Sequence, residues 1–363
     1  MRIRTAALGL TSALAIMGAT TLSASALTGT FTEVDPAVPD GFVSGADIND
    51  AGQTTGSAEF AGGEIHGFLR DADGTYTELL TLPAATYSQG NALNSAGDVV
   101  GGSGSIAALW PAAGGGPIDL GTLAGDTESF AEDINDAGWI VGTSRGAGGT
   151  RSWVRDPGDG LLVDIGTVPG GTTPQIRAIN SAGVATGEVL VGGSFVGFTW
   201  TEAGGIVAMP LPDGETTLRP TAINDAGQVV GHVYVPGDDL YRTYVWDPTD
   251  GFTELTMDGY ETSFAQSISD SGLVVGFVDN ASDSSRSPAA WDLASGDATV
   301  FPLFAAGVFT SELEAANSDG LAVGITREGD DFDRTFIGLI APDAVPAEPP
   351  AAVPVAAEPS FTG

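Results

Sequence analysis

Carboxylate is the reactive group this chain holds in quantity. Its 363 residues include 47 Asp and Glu against 12 Lys and Arg, for a net charge of −35. Two stretches, Gly237-Asp-Asp-Leu-Tyr-Arg242 and Gly329-Asp-Asp-Phe-Asp-Arg334, crowd acid ahead of an arginine. Clustered carboxylate and carbonyl oxygens are what a hard cation such as calcium takes as ligands. Asp238, Asp239, Asp330, Asp331 and Asp333 are therefore the candidate metal ligands, with calcium as the one cofactor to expect. The other reading of each stretch is a solvated acidic turn that pairs with the arginine after it. The EF-hand loop is absent, since Asp47-Ile-Asn-Asp-Ala-Gly52 has Ala51 where the fifth-position ligand would stand.

Acid pairs also carry out glycoside hydrolysis. With 47 acids, accidental pairs abound and spacing singles none out. There is no cysteine, so thiol nucleophiles and Cys-based metal sites are excluded. The two histidines, His66 and His232, fall in different repeats and are not expected to meet. No His-Glu-x-x-His pair or phosphate-binding loop occurs. Binding chemistry has better candidates. Tyr87, Phe130, Tyr260 and Phe264 fall in segments read as loops, and sugars and peptides stack on aromatic faces. The alternative for each is a ring tucked against the strands beneath.

A repeat carries these residues. Asn49-Asp-Ala-Gly52 recurs as Asn94-Ser-Ala-Gly97, Asn135-Asp-Ala-Gly138, Asn180-Ser-Ala-Gly183, Asn224-Asp-Ala-Gly227, Ser269-Asp-Ser-Gly272 and Asn317-Ser-Asp-Gly320. The turn glycines are 45, 41, 45, 44, 45 and 48 residues apart, and each is followed four residues later by a second glycine. A period in the mid-forties with several short strands per repeat predicts a β-propeller. In the fifth repeat, strands run over Thr221–Asn224 (A), Gln228–Val235 (B), Arg242–Trp246 (C) and Phe252–Met257 (D), bounded by Gly, Pro, Asn and Asp. The turn glycine supplies a positive φ to the A–B hairpin. The second glycine predicts a close backbone approach inside strand B. Trp110, Trp153, Trp200, Trp246 and Trp291 recur in strand C and are expected to fill the space between blades.

The fold class expected is all-β: a seven-bladed β-propeller of four-stranded blades. The last repeat lacks a D strand, and Thr30-Phe-Thr-Glu-Val34 resembles the D strands of other repeats. An N-terminal strand is therefore expected to close the ring and remove an open edge. Strand C of blades 1, 3, 5 and 7 carries His66, Arg151, Arg242 and Arg334 at one position, whereas the even blades carry Ile106, Val196 and Ser287. Duplication of a two-blade unit accounts for this. The D–A and B–C loops are long and variable and share one face, where a propeller site is expected.

Residues 1–26 read as a signal peptide. Arg2 and Arg4 precede an apolar stretch from Ala6 to Met17 that is too short to span a bilayer, and Ala24-Ser-Ala26 has the small residues of a cleavage site. The propeller then occupies 27–341. The Pro- and Ala-rich stretch 342–363 is expected to be a disordered tail. No later segment reads as a membrane span. Every basic residue is arginine, and a surface this acidic disfavours nucleic acid and anionic lipid.

Residues 120–142 run Leu-Gly-Thr-Leu-Ala-Gly-Asp-Thr-Glu-Ser-Phe-Ala-Glu-Asp-Ile-Asn-Asp-Ala-Gly-Trp-Ile-Val-Gly. This resembles the bacterial extracellular HAF repeat, and His66-Gly-Phe68 resembles the His-Ala-Phe segment that names it. The resemblance covers about residues 30–340 and implies a secreted bacterial repeat protein with no catalytic residues to carry over. Some relatives end in a Pro-Glu-Pro sorting signal with a membrane helix. Here Ala357-Glu-Pro-Ser360 has no such helix after it. The combined reading is a secreted, monomeric binding module for an extracellular polysaccharide, other polymer or protein, periplasmic and surface-attached locations included. A polysaccharide lyase or glycoside hydrolase, and a structural surface or matrix component, are the alternatives.

Overall fold

The computed structural model describes residues 27–39, 41–235, 240–280, 285–305, 308, 310–328 and 332–342. Residues 1–26, expected from sequence to be a signal peptide, residues 343–363 and Asp238, Asp239, Asp330 and Asp331 lie outside the described residues, as does the side chain of Asp333.

The first strand is β1 (Leu27–Glu33). Blade 1 is β2 (Val43–Ile48), β3 (Thr54–Glu59), β4 (Ile65–Arg70) and β5 (Tyr76–Leu79). Blade 2 is β6 (Ser88–Leu93), β7 (Val99–Ser103), β8 (Ile106–Trp110) and β9 (Ile118–Gly121). Blade 3 is β10 (Asp126–Ile134), β11 (Ile140–Gly146), β12 (Gly149–Arg155) and β13 (Leu162–Asp164). Blade 4 is β14 (Gly171–Ile179), β15 (Ala185–Val191), β16 (Ser194–Thr201) and β17 (Gly205–Ala208). Blade 5 is β18 (Arg219–Ile223), β19 (Val229–Val235), β20 (Leu240–Asp247) and β21 (Gly251–Leu255). Blade 6 is β22 (Thr262–Ile268), β23 (Leu273–Asp279), β24 (Arg286–Asp292) and β25 (Ala298–Val300). Blade 7 is β26 (Thr310–Ala316), β27 (Leu321–Glu328), β28 (Phe332–Pro342) and, returning from the N-terminus, β1. Within each blade the strands pair antiparallel in the order A, B, C, D. A lone parallel bridge, Arg286 with Thr310, links blades 6 and 7.

The B and C strands are apolar on both faces because a neighbouring blade covers each side. In β23 six consecutive residues, Leu273 to Val278, are buried. The outer D strands are half wet; β21 exposes Thr253 and Glu254. The tryptophans pack between blades. Trp153 is fully buried in a cluster with Leu120, Leu123 and Ile134, and Trp291 lies among Leu255, Met257 and Ala265.

The A–B turns staple the ring. At Asn135 the side-chain oxygen accepts from Trp139 N at 2.9 Å within its own hairpin. The amide nitrogen donates to the Asn180 carbonyl of the next blade at 2.9 Å. Asn49, Asn180, Asn224 and Asn317 make the same bridge, donating to the carbonyls of Asn94, Asn224, Ser269 and Asn49 respectively. The bond from Asn317 to Asn49 joins blade 7 to blade 1. Thr335 reinforces that junction by accepting from Gly45 N at 2.8 Å and donating to Val43 O at 2.9 Å. The N-terminal strand closes the last blade as the sequence predicts, paired with β28 from Leu27↔Pro342 to Glu33↔Phe336.

The two-blade repeat has a structural counterpart. In each odd blade the basic residue on strand C meets an acid on strand D: His66 with Glu78, Arg151 with Asp164, Arg242 with Glu254 and Arg334 with Glu33. The arginine pairs are largely solvated and add little stability each.

Candidate functional site

Every A strand contains a β-bulge that leaves one residue out of the ladder: Ala46, Asn91, Glu132, Arg177, Thr221, Gln266 and Glu314 in blades 1 to 7. Bulges bend the strand and re-aim side chains. The A strands line the central channel, so these side chains and their neighbours shape it. At the preceding A-strand position, two residues earlier, blades 4 to 7 carry Gln175, Arg219, Phe264 and Glu312. Directly opposite them on the B strands stand Glu188, His232, Phe277 and Ile325. Blade 1 has only Ser44 and Ser57 there, blade 2 has Gln89 and Gly102, and blade 3 has Phe130 and Thr143. In blades 4 to 7 these groups contact one another from blade to blade and form a crescent toward the face of the D–A and B–C loops.

The crescent is a ladder of rings and guanidiniums. The Arg219 guanidinium lies over Phe195 at 4.3 Å. Tyr241 and Phe264 are 4.7 Å apart, and Phe264 stacks on Phe277 at 4.6 Å. Arg286 caps the far end, 3.8 Å above Phe277. Phe195, Tyr241 and Phe264 are half-buried, so part of each ring faces solvent. Two buried carboxylates anchor the arginines. Glu188 accepts from Arg219 Nε and Nη2 at 2.6 and 2.9 Å and from Arg177 Nη2 at 3.1 Å. Glu312 accepts from Arg286 Nη1 at 2.9 Å and pairs with Arg327. Burial alone would raise the Glu188 pKa, but the two arginines outweigh it and hold the carboxyl below its ordinary value. Arginine is concentrated here. Eight of the ten arginines beyond residue 26 (12 less Arg2 and Arg4) lie on strand ends of this face or in the crescent; Arg70 and Arg155 lie toward the other face.

His232 sits inside the ladder, 5.1 Å from Phe264 and 5.5 Å from Tyr241 between ring centres. Burial, then the Arg219 charge, pushes its pKa down to about 4. It is neutral at pH 7, and its Nδ1 is buried without a hydrogen-bond partner among the described residues. His66 is in blade 1, paired with Glu78. One motif escapes the sequence reading: Gly142-Thr-Ser-Arg-Gly146 has the spacing of a nucleophile elbow. It runs along β11 rather than around a strand-to-helix turn, and Ser144 is buried, donating to Glu128 O at 3.1 Å and accepting from Leu123 N.

The aromatic contacts expected from sequence need correction. Phe130 and Phe264 are not loop residues; they lie in β10 and β22, half-buried, because each A strand begins earlier than its Asn-x-x-Gly signal suggests. Only Phe264 joins the ladder. Phe130 packs near Gly102 of blade 2. Tyr87 is exposed in the loop before β6. Tyr260 lies in the blade 5 to 6 loop, bridged to Met257, and lines a separate groove of about 670 Å³ with Arg242, Glu254 and Glu261. Among the described residues no group of three or more His, Cys, Asp or Glu side chains could hold a metal ion.

The opposite channel mouth is a depression of about 210 Å³ ringed by Asn49, Asn94, Asn135, Asn180 and Asn317 with Asp50, Asp136, Asp225 and Asp270. Below the ring, Asp47 accepts from Leu93 N at 3.0 Å and Asp133 from Ile179 N at 2.8 Å, each clamping the following blade. Burial pushes Asp47 up to about 6 and Asp133 to about 7, against the backbone bonds that lower them. The folded chain therefore holds protons that the unfolded chain releases near pH 4, and stability falls as pH rises from there through 6 and 7. Both residues are only half-buried by accessible area, so the effect is about 1–2 kcal/mol each rather than the full value for the shift. The melting temperature is expected to be higher at pH 5 than at pH 8, and Asp133→Asn is expected to flatten the difference. An unchanged slope in Asp133→Asn would assign the dependence to general charge repulsion.

No family model matches the chain, and no curated protein matches its sequence. Solved structures do resemble the fold. Virginiamycin B lyase from Staphylococcus aureus superposes with a TM-score of 0.60 at 12% identity, covering 86% of this chain and 99% of that one. Oligogalacturonate lyase from Vibrio parahaemolyticus gives 0.60 at 11% identity over 86% and 98%. The β-propeller domain of the Trilobed protease from Pyrococcus furiosus gives 0.52 at 11% over 85% and 100%. Identities this low speak for the scaffold alone: the chain is a β-propeller, and its function must be argued from its own side chains.

Proposed function

We propose that this chain is a secreted binding module that holds an extracellular glycan against the ladder at the channel mouth. The observation that carries the reading is the half-exposed Tyr241–Phe264 ring pair, flanked by arginines on buried carboxylates. Stacked rings offer flat apolar faces to a sugar, and the fixed guanidiniums offer donors to its oxygens. Anchoring on Glu188 and Glu312 holds Arg219 and Arg286 in place before the ligand arrives, which lowers the cost of ordering them on binding.

A polysaccharide-degrading enzyme is the second reading, favoured by the neutral His232 beside Arg219. Its depressed pKa makes it a weak base, poorly matched to proton abstraction near neutral pH. That mismatch favours binding. Incubating residues 27–363 with a panel of extracellular polysaccharides, followed by size-exclusion chromatography with light scattering, separates the two. Co-elution at unchanged polymer length is expected, and Phe264→Ala is expected to weaken it about tenfold. Shortening of the polymer would establish the enzyme; equal retention by Phe264→Ala would move the site elsewhere. The same runs in chelator test the calcium expectation for the loops holding Asp238, Asp239, Asp330, Asp331 and Asp333.

A further inference from the structure

The ladder's two arginines at blades 4 and 5 are incompletely used. Arg177 and Arg219 converge on one carboxylate oxygen, Glu188 Oε1, at 3.1 and 2.9 Å. Arg219 spends Nε and Nη2 on Glu188, and Arg177 spends Nη2 on Glu188 and on Gln175 Oε1. Nε and Nη1 of Arg177 and Nη1 of Arg219 make no hydrogen bond to any described residue. Both side chains are about a third exposed, at 35% and 33%. Two guanidiniums thus share one buried carboxylate, with donors left over. The other titratable groups around them are His232, neutral at pH 7, Tyr241, and Glu132, whose pKa burial raises despite the nearby Arg177 charge. A guanidinium pair held open in this way is a seat for one planar anion, since its forked donors match a carboxylate.

We infer that the seat takes a sugar carboxylate: the ligand is a glycan bearing an isolated acidic residue, its carboxylate bridging Arg177 and Arg219 and its ring lying against Tyr241 and Phe264. This rests on the glycan-binding reading above and names the ligand class for the same site. The acid is isolated, not part of a polyanion, because the surroundings turn negative within a short distance. Asp279 pairs with Arg286, Glu312 anchors it, and the whole chain carries −35. Screening confines the attraction of the arginine pair to about 8–10 Å in physiological salt. A ligand with one charge at the seat and neutral sugars beyond meets both conditions. The carboxyl terminus of a peptide shares the anionic group and is an arm of the test.

The probe is an oligosaccharide with one glucuronate among neutral sugars, titrated beside its carboxyl-reduced form. The acidic form is expected to bind about tenfold more tightly, with the ratio shrinking as salt is added. Arg177→Gln leaves Glu188 its two-pronged bond from Arg219, so the fold should hold, and the ratio should fall close to one. Phe264→Ala should weaken both forms alike. Equal affinity of the two forms for the native protein overturns the carboxylate seat and leaves the glycan reading standing. Binding of neither form while neutral polymers are retained does the same. Binding of neither, with no polymer retained, overturns both. Tighter binding of a free peptide terminus than of the acidic sugar overturns the glycan assignment and keeps the anion seat. The ratio and its salt dependence are read on the native protein, so the result stands even if a variant misfolds.

Discussion

Removing residues 27–36 is expected to lower the melting temperature sharply, or to abolish the cooperative transition, while removing 343–363 leaves it unchanged. The first deletion takes away β1 and its seven registered positions along β28. It strips Leu27 and Phe31 from the cluster formed with Phe301, Leu313 and Ile340. Phe31 meets Phe301 edge-on at 5.4 Å and Phe304 at 4.7 Å. Two apolar side chains of this size contribute about 1.5–3 kcal/mol each on burial. The loss also uncovers the whole outer edge of β28 to water and to other chains. It removes the bond from Leu27 N to Thr299 Oγ1, which ties the first strand to blade 6 as well as to blade 7. Against a total stability of roughly 5–15 kcal/mol, the sum is a large fraction. Thermal melts of the two truncations and the 27–363 chain decide the matter. Equal midpoints would mean that the ring is held by its blade-to-blade contacts alone.

The architecture was readable from the sequence because it is written seven times. Any one Asn-x-x-Gly turn is a weak signal; seven at one spacing, each with a second glycine four residues on, fix blade number and strand order. The missing D strand of the last repeat and the Thr-Phe-Thr-Glu segment near the start gave the closure. The crescent was hidden for the opposite reason: its residues are those that do not repeat. Phe195, Arg219, Tyr241, Phe264, Phe277 and Arg286 are spread over ninety-odd positions and meet only because consecutive blades pack face to face. The strand-B glycine signals a close backbone approach but not where the A strand begins, so Phe130 and Phe264 read as loop residues. One signal was available. The residue after each strand-B glycine runs Ser57, Gly102, Thr143, Glu188, His232, Phe277 and Ile325, and a carboxylate or imidazole inside an apolar strand needs a partner. The role of Asn at the turns was only half visible. Its bond within the hairpin follows from sequence; its bond across to the next blade requires the ring.

Gly101→Ala is expected to cost about 3 kcal/mol or more, an unusually large penalty for one methyl group. The reason is space. A Cβ at Gly101 would sit 2.0 Å from the Gln89 carbonyl oxygen on the paired A strand. At Gly276 it would sit 2.0 Å from the Phe264 oxygen, and at Gly187 2.2 Å from the Gln175 oxygen. These are backbone atoms in the middle of a sheet, and they cannot swing aside as a side-chain tip would. The bulge brings the A strand's carbonyl across the B strand, and only glycine leaves room for it. Gly148→Ala is the control, since nothing lies within 4 Å of its Cβ position; it should stay within about 0.5 kcal/mol of the native protein. Chemical denaturation of the two variants at one pH gives the comparison, and similar stabilities would show that the strands are not packed this closely. Function divides the same substitution by blade. Gly101 is in blade 2, away from the ladder, so its variant should lose stability yet bind normally when folded. Gly276 precedes Phe277 and faces the bulge at Gln266, so Gly276→Ala should lose stability and binding together. The bulge and its glycine are therefore one device: they fix the strand so tightly that the adjoining positions are free to differ from blade to blade, and in blades 4 to 7 those positions hold the ladder.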